Sequence, residues 1–109
     1  MSADGDAELF ASIRVFEWDE EKNEANLRNH QIDFRDARWV IQGATLIRRS
    51  DRKGEVRYMV FGFAEGREVV VICTLRGETC RLISARRARR NERKKYHSRI
   101  ARRSESRED

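Results

Sequence analysis

The sequence predicts an α+β domain with an N-terminal strand, two helices, an antiparallel β-meander and a C-terminal basic helix. With 109 residues the chain has room for one domain. The apolar spacing is helical over about residues 34–42 and changes to period two in the segments that follow. The sequence contains no proline, so every strand can donate all of its backbone hydrogen bonds to a sheet.

The N-terminal part is predicted to hold one strand after an acidic leader. Residues 1–12 are rich in small and acidic side chains, which is typical of a flexible leader, although the apolar residues 9–10 could dock on the domain. In the segment "IRVFEW", the side chains of residues 13, 15 and 17 alternate with those of residues 14, 16 and 18. This alternation is typical of a strand with one face more buried than the other. We expect the ordered domain to span residues 13–98, followed by a helix end and a charged, disordered tail over residues 99–109.

Two short helices are predicted next, each preceded by an aspartate. Asp19 is a good N-cap for a helix over about residues 20–29, and glutamates fill its first turn, where the helix dipole favours anions. Asp33 repeats the capping signal for a second helix over about residues 34–42, which Gly43 ends. The second helix has an apolar side. The first has so few apolar side chains that burial alone does not explain it, so we expect its polar residues to serve chemistry.

Four further strands are predicted to form the meander. They are the segments "TLIRRS", "EVRYMVFGFA", "EVVVICTL" and "TCRLISA". Glycines in "AEGR" and "RGE" supply the tight connections between the last three. The continuous apolar run of "EVVVICTL" is typical of a central strand. From Arg86 the spacing predicts a basic helix that ends near Arg103.

Charge is distributed unevenly along the chain, whose net charge is +5. The segment from Met1 to Glu24 carries eight acidic and two basic residues, whereas the segment from Arg81 to Arg103 carries eleven basic residues and the single acid Glu92. A basic block of this kind attracts polyanions, of which nucleic acid is the obvious candidate. A solvated arginine-rich helix without a ligand is the alternative interpretation.

The sequence also indicates the compartment. No apolar run approaches the length of a membrane span or of a signal-peptide core, so we expect a cytoplasmic protein. Cys73 and Cys80 flank a predicted hairpin turn and are interpreted as free, buried thiols of a reducing compartment. A disulfide between them is the less favoured alternative.

One polar ridge on the first predicted helix could carry chemistry. Lys22, Asn26 and His30 are spaced by four residues and therefore lie on one side of the helix. Lysine can hold a phosphate, and histidine suits proton transfer near neutral pH. The structural alternatives are a surface lysine paired with nearby glutamates and a histidine stabilised by the C-terminal end of the helix dipole.

A second candidate site consists of arginines on the strands and the last helix. The planar guanidinium suits phosphate oxygens and the charge that builds on a phosphoryl group during attack. Each arginine alone could be an ordinary solvent-facing residue. Consecutive acids and two distant histidines give no metal-ligand spacing, and no glycine-rich phosphate loop is present, so we expect no metal and no cofactor. The set comprises Arg57, Arg81, Arg86, Arg87 and Arg93, with Tyr96 close behind.

Three blocks of the sequence carry a resemblance to a known family. They are "FEWDEEKNEANLRNHQIDF", "RYMVFGF" and "RGETCRLISARRARRNERKKY", within about residues 13–96. In this order and spacing they resemble the BrnT toxins of bacterial type II toxin-antitoxin systems, ribonucleases related to the RelE superfamily. The resemblance implies a small RelE-like fold and a toxin that cleaves RNA and inhibits translation.

Two positions depart from the family pattern. Gln31 stands where the family usually has glycine, so a left-handed backbone there would cost on the order of 1 kcal/mol. Arg89 stands where a threonine often caps the last helix, and Asn91 is the expected replacement cap. Both departures concern the ends of helices.

The resemblance also implies partners. A BrnA-like antitoxin with a ribbon-helix-helix DNA-binding domain would hold the toxin silent. The two proteins would bind their own promoter DNA through the antitoxin. The substrate would be RNA, free or on the ribosome, and no membrane partner is expected.

From these residues and the resemblance we expect a metal-independent endoribonuclease in which the 2′-hydroxyl of the RNA attacks the adjacent phosphate. Arginines would hold the phosphate, His30 or Tyr96 would exchange protons, and Lys22 would position the RNA backbone. Glu92 is expected to orient Arg93 or Tyr96. The predicted catalytic residues are Lys22, His30, Arg57, Arg81, Arg87 and Tyr96. The predicted RNA-binding residues are Arg76, Arg86, Arg93 and Lys94.

The alternative function is not enzymatic. The same arginines could belong to a basic RNA-binding or corepressor module that contacts nucleic acid, or an acidic antitoxin surface, without cutting either. Charge-removing substitutions distinguish the two, because catalysis depends on single residues whereas binding falls gradually with each lost charge.

Overall fold

A five-stranded sheet forms the centre of the computed structural model, which describes residues 8–43 and 46–107, with side chains described up to residue 99. This is the predicted α+β fold. No helix in the described part of the chain is long and apolar enough to cross a membrane. The strands are β1 (Val15–Glu17), β2 (Leu46–Arg49), β3 (Tyr58–Ala64), β4 (Arg67–Arg76) and β5 (Thr79–Arg87). The longer helices are α1 (Glu20–His30), α2 (Phe34–Gln42) and α3 (Arg90–Arg107).

The strand order in the sheet is β1-β5-β4-β3-β2. Strands β2 to β5 form the predicted antiparallel meander, and the apolar β4 is its central strand as predicted. The short β1 pairs in parallel with β5 at one edge of the sheet. A register shift near Ile72 and Cys73 interrupts the pairing of β4 with β5. The sheet therefore ends in β1 on one side and in β2 on the other.

Helices pack on both faces of this sheet. Val60 and Val71 belong to the larger core cluster beneath α2, whereas their chain neighbours Phe61 and Val70 belong to a second cluster beneath α3. Because successive side chains of a strand point to opposite faces, the two clusters lie on opposite sides of the sheet. We call these the α2 face and the α3 face.

The two cysteines lie in the core on the α2 face. Both are buried and free, as predicted. The pKa of the Cys73 thiol is raised above its ordinary value by its hydrogen bond with Cys80 and by burial. Cys73 is therefore a neutral thiol at physiological pH.

Asparagines attach α1 to the rest of the domain. The Asn23 side chain is 1% exposed; its Nδ2 donates to Asp33 Oδ1 (3.1 Å) and its Oδ1 accepts from the Phe34 amide (2.9 Å). Asn26 Nδ2 donates to the carbonyls of Ile32 (2.8 Å) and Ala85 (2.9 Å), and its Oδ1 accepts from the Ala85 amide (3.1 Å). The expectation that the polar ridge displays an amide for chemistry is wrong at Asn26, because that amide is buried and fully bonded within the fold.

The ends of α1 and α2 agree with the predictions. Asp19 and Asp33 cap the two helices through their side chains, and Gly43 follows the last residue of α2. The residue after α1, Gln31, has the left-handed backbone that its family position indicated, with φ 57°. Its side chain donates to the Arg28 carbonyl at 3.0 Å.

The junction between β5 and α3 differs from the prediction. A helix was expected from Arg86, but the pairing of β5 with β4 continues to Arg87 and α3 begins at Arg90. Asn91 is not the cap, because it lies inside the first turn. Glu92 Oε1 instead accepts from the Arg89 amide at 2.7 Å, which is half of a capping box. The helix continues to Arg107, past its predicted end near Arg103.

Order begins before the predicted Ile13. Residues 8–11 form a helical turn, and Phe10 is buried, with its ring 5.4 Å from that of Tyr58 in an edge-to-face arrangement. The rest of the acidic leader, residues 1–7, lies outside the described residues. The anticipated docking of the leader's apolar residues therefore occurs at Phe10, whereas Leu9 is exposed.

Candidate functional site

Part of the α3 face is left uncovered by the helix. Cross-strand partners share a face of the sheet, so the strand register places two rows of side chains on this surface. We call this surface the open face. One row consists of Arg48, Met59, Ile72 and Ser84, and the next consists of Thr74, Arg81 and Glu17.

Two predicted catalytic arginines lie on the open face, on either side of Thr74. Arg81 lies beside Thr74 in the register of β4 and β5. Arg57 immediately precedes β3, and the alternation of that strand places it opposite the core residue Tyr58 and on the side of Thr74. The Thr74 hydroxyl donates to the Val56 carbonyl at 2.8 Å, which ties β4 to the segment that carries Arg57. Thr74 thus lies between Arg57 and Arg81 in the register of the strands.

Each of these arginines pairs with a carboxylate. Arg57 Nε lies 2.7 Å from Glu55 Oε1, and Arg81 Nη1 lies 3.5 Å from Glu17 Oε1. The arginine side chains are 27% and 36% exposed, so both stay accessible to solvent. Partial burial weakens screening by water, which strengthens the interaction of a guanidinium with an incoming anion.

A groove adjoins the open face between β2 and α3. Its cavity volume is about 570 Å³, with apolar residues such as Leu46 and Phe61 along its floor. Within the described residues, none of the basic side chains around it forms an ion pair with a carboxylate. Those side chains are Arg48, Lys94, Lys95 and Arg99. The predicted RNA-binding residue Lys94 is therefore brought next to the open face, and Arg48 belongs to both surfaces.

Arg86 and Glu92 connect β5 to α3. Arg86 Nη1 and Nη2 donate to Glu92 Oε1 and Oε2 at 2.7 and 2.9 Å, with both side chains largely buried. The hydrogen bonds from Arg86 lower the pKa of Glu92 to about 2 and raise the pKa of Arg86. The expectation that Glu92 orients Arg93 or Tyr96 is wrong, because its carboxylate is occupied by Arg86 and by the Arg89 amide. Arg86 thus anchors α3 through both Nη atoms, the same atoms that would have to bind an RNA phosphate.

Tyr96 projects from α3 onto the sheet, in a core cluster that borders the open face at Met59 and Ile72. It is 7% exposed, with its ring 6.2 Å from that of Phe61 in a stacked arrangement and 5.9 Å from that of Phe63. Phe61 is four residues along the chain from Arg57, a separation of roughly 13 Å in a strand. The structure therefore does not bring Tyr96 to the two arginines.

Lys22 and His30 also lie apart from the arginine pair. Lys22 is exposed in the first turn of α1, and His30 is the half-buried last residue of that helix. Among the described residues, no hydrogen bond or ion pair joins either of them to Arg57 or Arg81. The ridge that the helical spacing predicted contacts the domain through Asn26, at the edge of β5 beyond the end of β1.

The remaining predicted arginines are divided between surfaces. Arg76 is exposed at the end of β4, two residues from Thr74 and so on the same face. Arg87 pairs with Val69 in the register and is exposed on the α2 face. Arg93 is half-buried on α3. The open face therefore gathers Arg57, Arg76 and Arg81 from the predicted set.

Sequence reasoning missed Glu17 and most of the groove. Arg48 lies two residues after Leu46 in β2 and therefore on the same face, a signal that becomes informative only when the strand register is known. Glu17 was assigned to a strand without any role, because the parallel pairing of β1 with β5 that brings it to Arg81 cannot be read from spacing. No group of three histidine, cysteine or acidic side chains in the described part of the chain could hold a metal ion.

The open face thus offers accessible guanidinium groups, a neighbouring carboxylate and an adjoining basic groove, a set suited to binding a phosphodiester and stabilising negative charge on it.

A search of curated proteins found no match. A family model described as "Ribonuclease toxin, BrnT, of type II toxin-antitoxin system" matches residues 18–92, which is more than half of the chain. This chain therefore belongs to the BrnT family of ribonuclease toxins of type II toxin-antitoxin systems.

Proposed function

We propose that this ribonuclease toxin cleaves RNA without a metal ion, by attack of the RNA's own 2′-hydroxyl on the adjacent phosphate. The observation that carries the proposal is the placement of Arg57 and Arg81 on one accessible row of the sheet. Two guanidinium groups can neutralise the phosphate and stabilise the additional charge of the transition state, a role that metal ions fill in other nucleases. The products would be a 2′,3′-cyclic phosphate end and a 5′-hydroxyl end.

The division of labour follows from position. Arg57 and Arg81 hold the scissile phosphate, and Arg76 at the end of β4 binds the flanking backbone. Lys22, His30 and Tyr96 receive no direct part in this proposal, because no contact among the described residues joins them to Arg57 or Arg81. Arg87 receives none because its side chain lies on the α2 face.

The groove between β2 and α3 extends the RNA-binding surface. Its basic side chains, Lys94 among them, adjoin the row that contains Arg48. A single strand that leaves the arginine pair would cross the half-buried Met59 and Ile72 to reach this groove. Lysines and arginines without carboxylate partners contact phosphates at low desolvation cost, and binding through them weakens steeply with added salt.

The family implies an antitoxin partner and an RNA substrate. We propose further that the antitoxin is BrnA-like, carries a ribbon-helix-helix DNA-binding domain, and binds the operon promoter together with the toxin. The support is the family membership and the basic charge of the toxin, which suits an acidic antitoxin surface. The proposed site of action is cytoplasmic RNA, free or on the ribosome.

The test is incubation of the purified, antitoxin-free chain with naked RNA in excess EDTA, followed by analysis of the new ends. We expect cleavage that leaves cyclic phosphate ends. Cleavage only after addition of Mg²⁺ would contradict the metal-free reaction. If naked RNA stays intact, the same assay on translating ribosomes distinguishes a ribosome-dependent enzyme from a protein that does not cleave.

The competing function is RNA binding without cleavage, and the basic groove favours it as a second candidate. In the enzyme, Arg81→Ala abolishes growth arrest while antitoxin binding stays largely intact. In a binding module, activity falls gradually with each charge removed and recovers at low salt, because phosphate contacts act through counterion release. Growth arrest measured for single and combined variants at the groove and on the open face therefore separates the two functions.

A further inference from the structure

Glu17 lies at the edge of the sheet, in the same row of the open face as Arg81. It ends β1, its register partner is Arg81, and its Oε1 lies 3.5 Å from Arg81 Nη1. Its side chain is 43% exposed, so a bound RNA can reach it. Among the described residues, Arg81 is the charged group paired with it, and Arg57 lies beyond Thr74 on the same face.

The proposed reaction needs a group that accepts the proton of the 2′-hydroxyl. The two residues predicted for this role are not brought to the arginines. Tyr96 is buried between α3 and the sheet, and His30 is the last residue of α1. The other carboxylate near the arginines, Glu55, contacts Arg57 at 2.7 Å, a short and strong pair. The contact between Glu17 and Arg81 is longer, so an arriving phosphate can take over the guanidinium with less loss.

We propose that Glu17 is the general base of the cleavage reaction, an inference that depends on the proposed function. A phosphate held by Arg81 lies beside Glu17, and the 2′-oxygen of the same nucleotide is adjacent to that phosphate. The Glu17 carboxylate takes the 2′-hydroxyl proton, the 2′-oxygen forms a bond to phosphorus, and the bond from phosphorus to the 5′-oxygen breaks. The leaving 5′-oxygen takes a proton from water, and Glu17 returns its proton to solvent, so the step balances without a co-reactant.

The test compares Glu17→Gln with the wild-type chain in the naked-RNA assay. Glutamine retains the size of the side chain and a hydrogen bond to Arg81 but cannot accept the proton. Removal of a general base typically lowers the rate by about 100-fold to 10,000-fold, so we expect at least a 100-fold loss in kcat with little change in KM. The wild-type rate should also fall on the acidic side of its pH profile, and this limb should vanish in Glu17→Gln.

Glu78→Gln is the matched control. Glu78 is an exposed glutamate in the turn next to β1, paired with Arg14 at 3.8 Å. Its replacement removes the same charge near the same sheet edge, and we expect wild-type rates. Circular dichroism at each pH verifies that all three proteins are folded.

The outcomes separate the inference from the proposed function. Cleavage by wild-type and Glu17→Gln at similar rates would overturn the inference and leave the proposed function in place. A partial loss with an unchanged pH profile would also overturn it, since that result marks Glu17 as a residue that only positions Arg81. Failure of the wild-type chain to cleave RNA, free or on ribosomes, would overturn the proposed function and the inference together.

Discussion

At the scale of single residues, Asn23 and Asn26 explain how a polar helix belongs to a folded domain. Asn26 satisfies the amide and carbonyl of Ala85, at an edge of β5 that β1 is too short to cover. Its side chain thereby makes the backbone hydrogen bonds that a neighbouring strand would otherwise make. Asn23 in turn bonds the first residue of α2. Both amides are buried, so α1 is held by directed hydrogen bonds where most helices use an apolar stripe.

Asn26→Ala should destabilise the domain strongly. It leaves the Ile32 carbonyl and both backbone groups of Ala85 without their partner in a buried site, which should lower the free energy of unfolding by on the order of 3 kcal/mol. Asn29→Ala, on an exposed position of the same helix, is the control and should change little. Urea denaturation of both variants measures the difference. Equal stabilities would contradict the structural role of Asn26.

The Arg86–Glu92 pair should make α3 sensitive to acid. The carboxyl pKa is about 2 in the fold and 4.5 without its partners, so the stabilisation is complete above about pH 4.5 and is lost as the pH falls towards 2. Glu92→Gln should cost about 2 kcal/mol at pH 7, because it removes charge-assisted hydrogen bonds. In urea denaturation at a series of pH values, the difference from wild type should shrink below pH 4.5. A pH-independent difference would mean that charge is not what the pair contributes.

At the scale of elements, the position of α2 on the sheet depends on a close approach to β3. A Cβ atom at Gly62 would lie 2.9 Å from Val40 Cγ1, shorter than a normal contact. Gly62 is in the middle of β3, and Val40 is a core residue of α2. The glycine in "FGF" therefore permits the packing distance between helix and strand.

Gly62→Ala should lower the free energy of unfolding by about 1 to 3 kcal/mol, because the added methyl group overpacks the interface. Introduced together with Val40→Ala, which removes the obstructing methyl groups, the same change should cost less. Gly43→Ala is the control, since its Cβ would lie at an ordinary 3.5 Å from the Trp39 carbonyl. Thermal unfolding of the four variants gives the coupling. Strict additivity would show that Val40 does not limit the approach.

Sequence patterns predicted some elements better than others. The bounds of α1 and α2 were predicted to within one residue because Asp19, Asp33 and Gly43 are local signals. The start of α3 was not, since Arg86 and Arg87 are compatible with a basic helix and only their pairing with β4 assigns them to a strand. The pairing of distant strands decides between helix and strand at these positions, and local spacing does not reveal that pairing.

At the scale of the whole molecule, the sheet separates the predicted site residues. Arg57 and Arg81 share the open face. Tyr96 is buried between α3 and the sheet, and Arg87 lies on the α2 face. Sequence reasoning included both arginines in its candidate set because of their residue type, and their shared face became visible only in the fold. It could not identify Glu17 as the neighbour of Arg81, because a change of one residue in register moves a side chain to the other face. The two-sided architecture is therefore what selects the candidate site from the longer predicted set.

The arginines of the open face are proposed to carry RNA cleavage, so the first rate to measure is that of Arg81→Ala on naked RNA in EDTA. We expect a loss of at least about 100-fold in kcat, as for removal of a group that stabilises transition-state charge. Arg14→Ala is the matched control, because Arg14 is an exposed arginine next to β1 that pairs with Glu78. It should cleave at the wild-type rate. Equal rates for Arg81→Ala and Arg14→Ala would contradict the account and place the reaction elsewhere on the molecule.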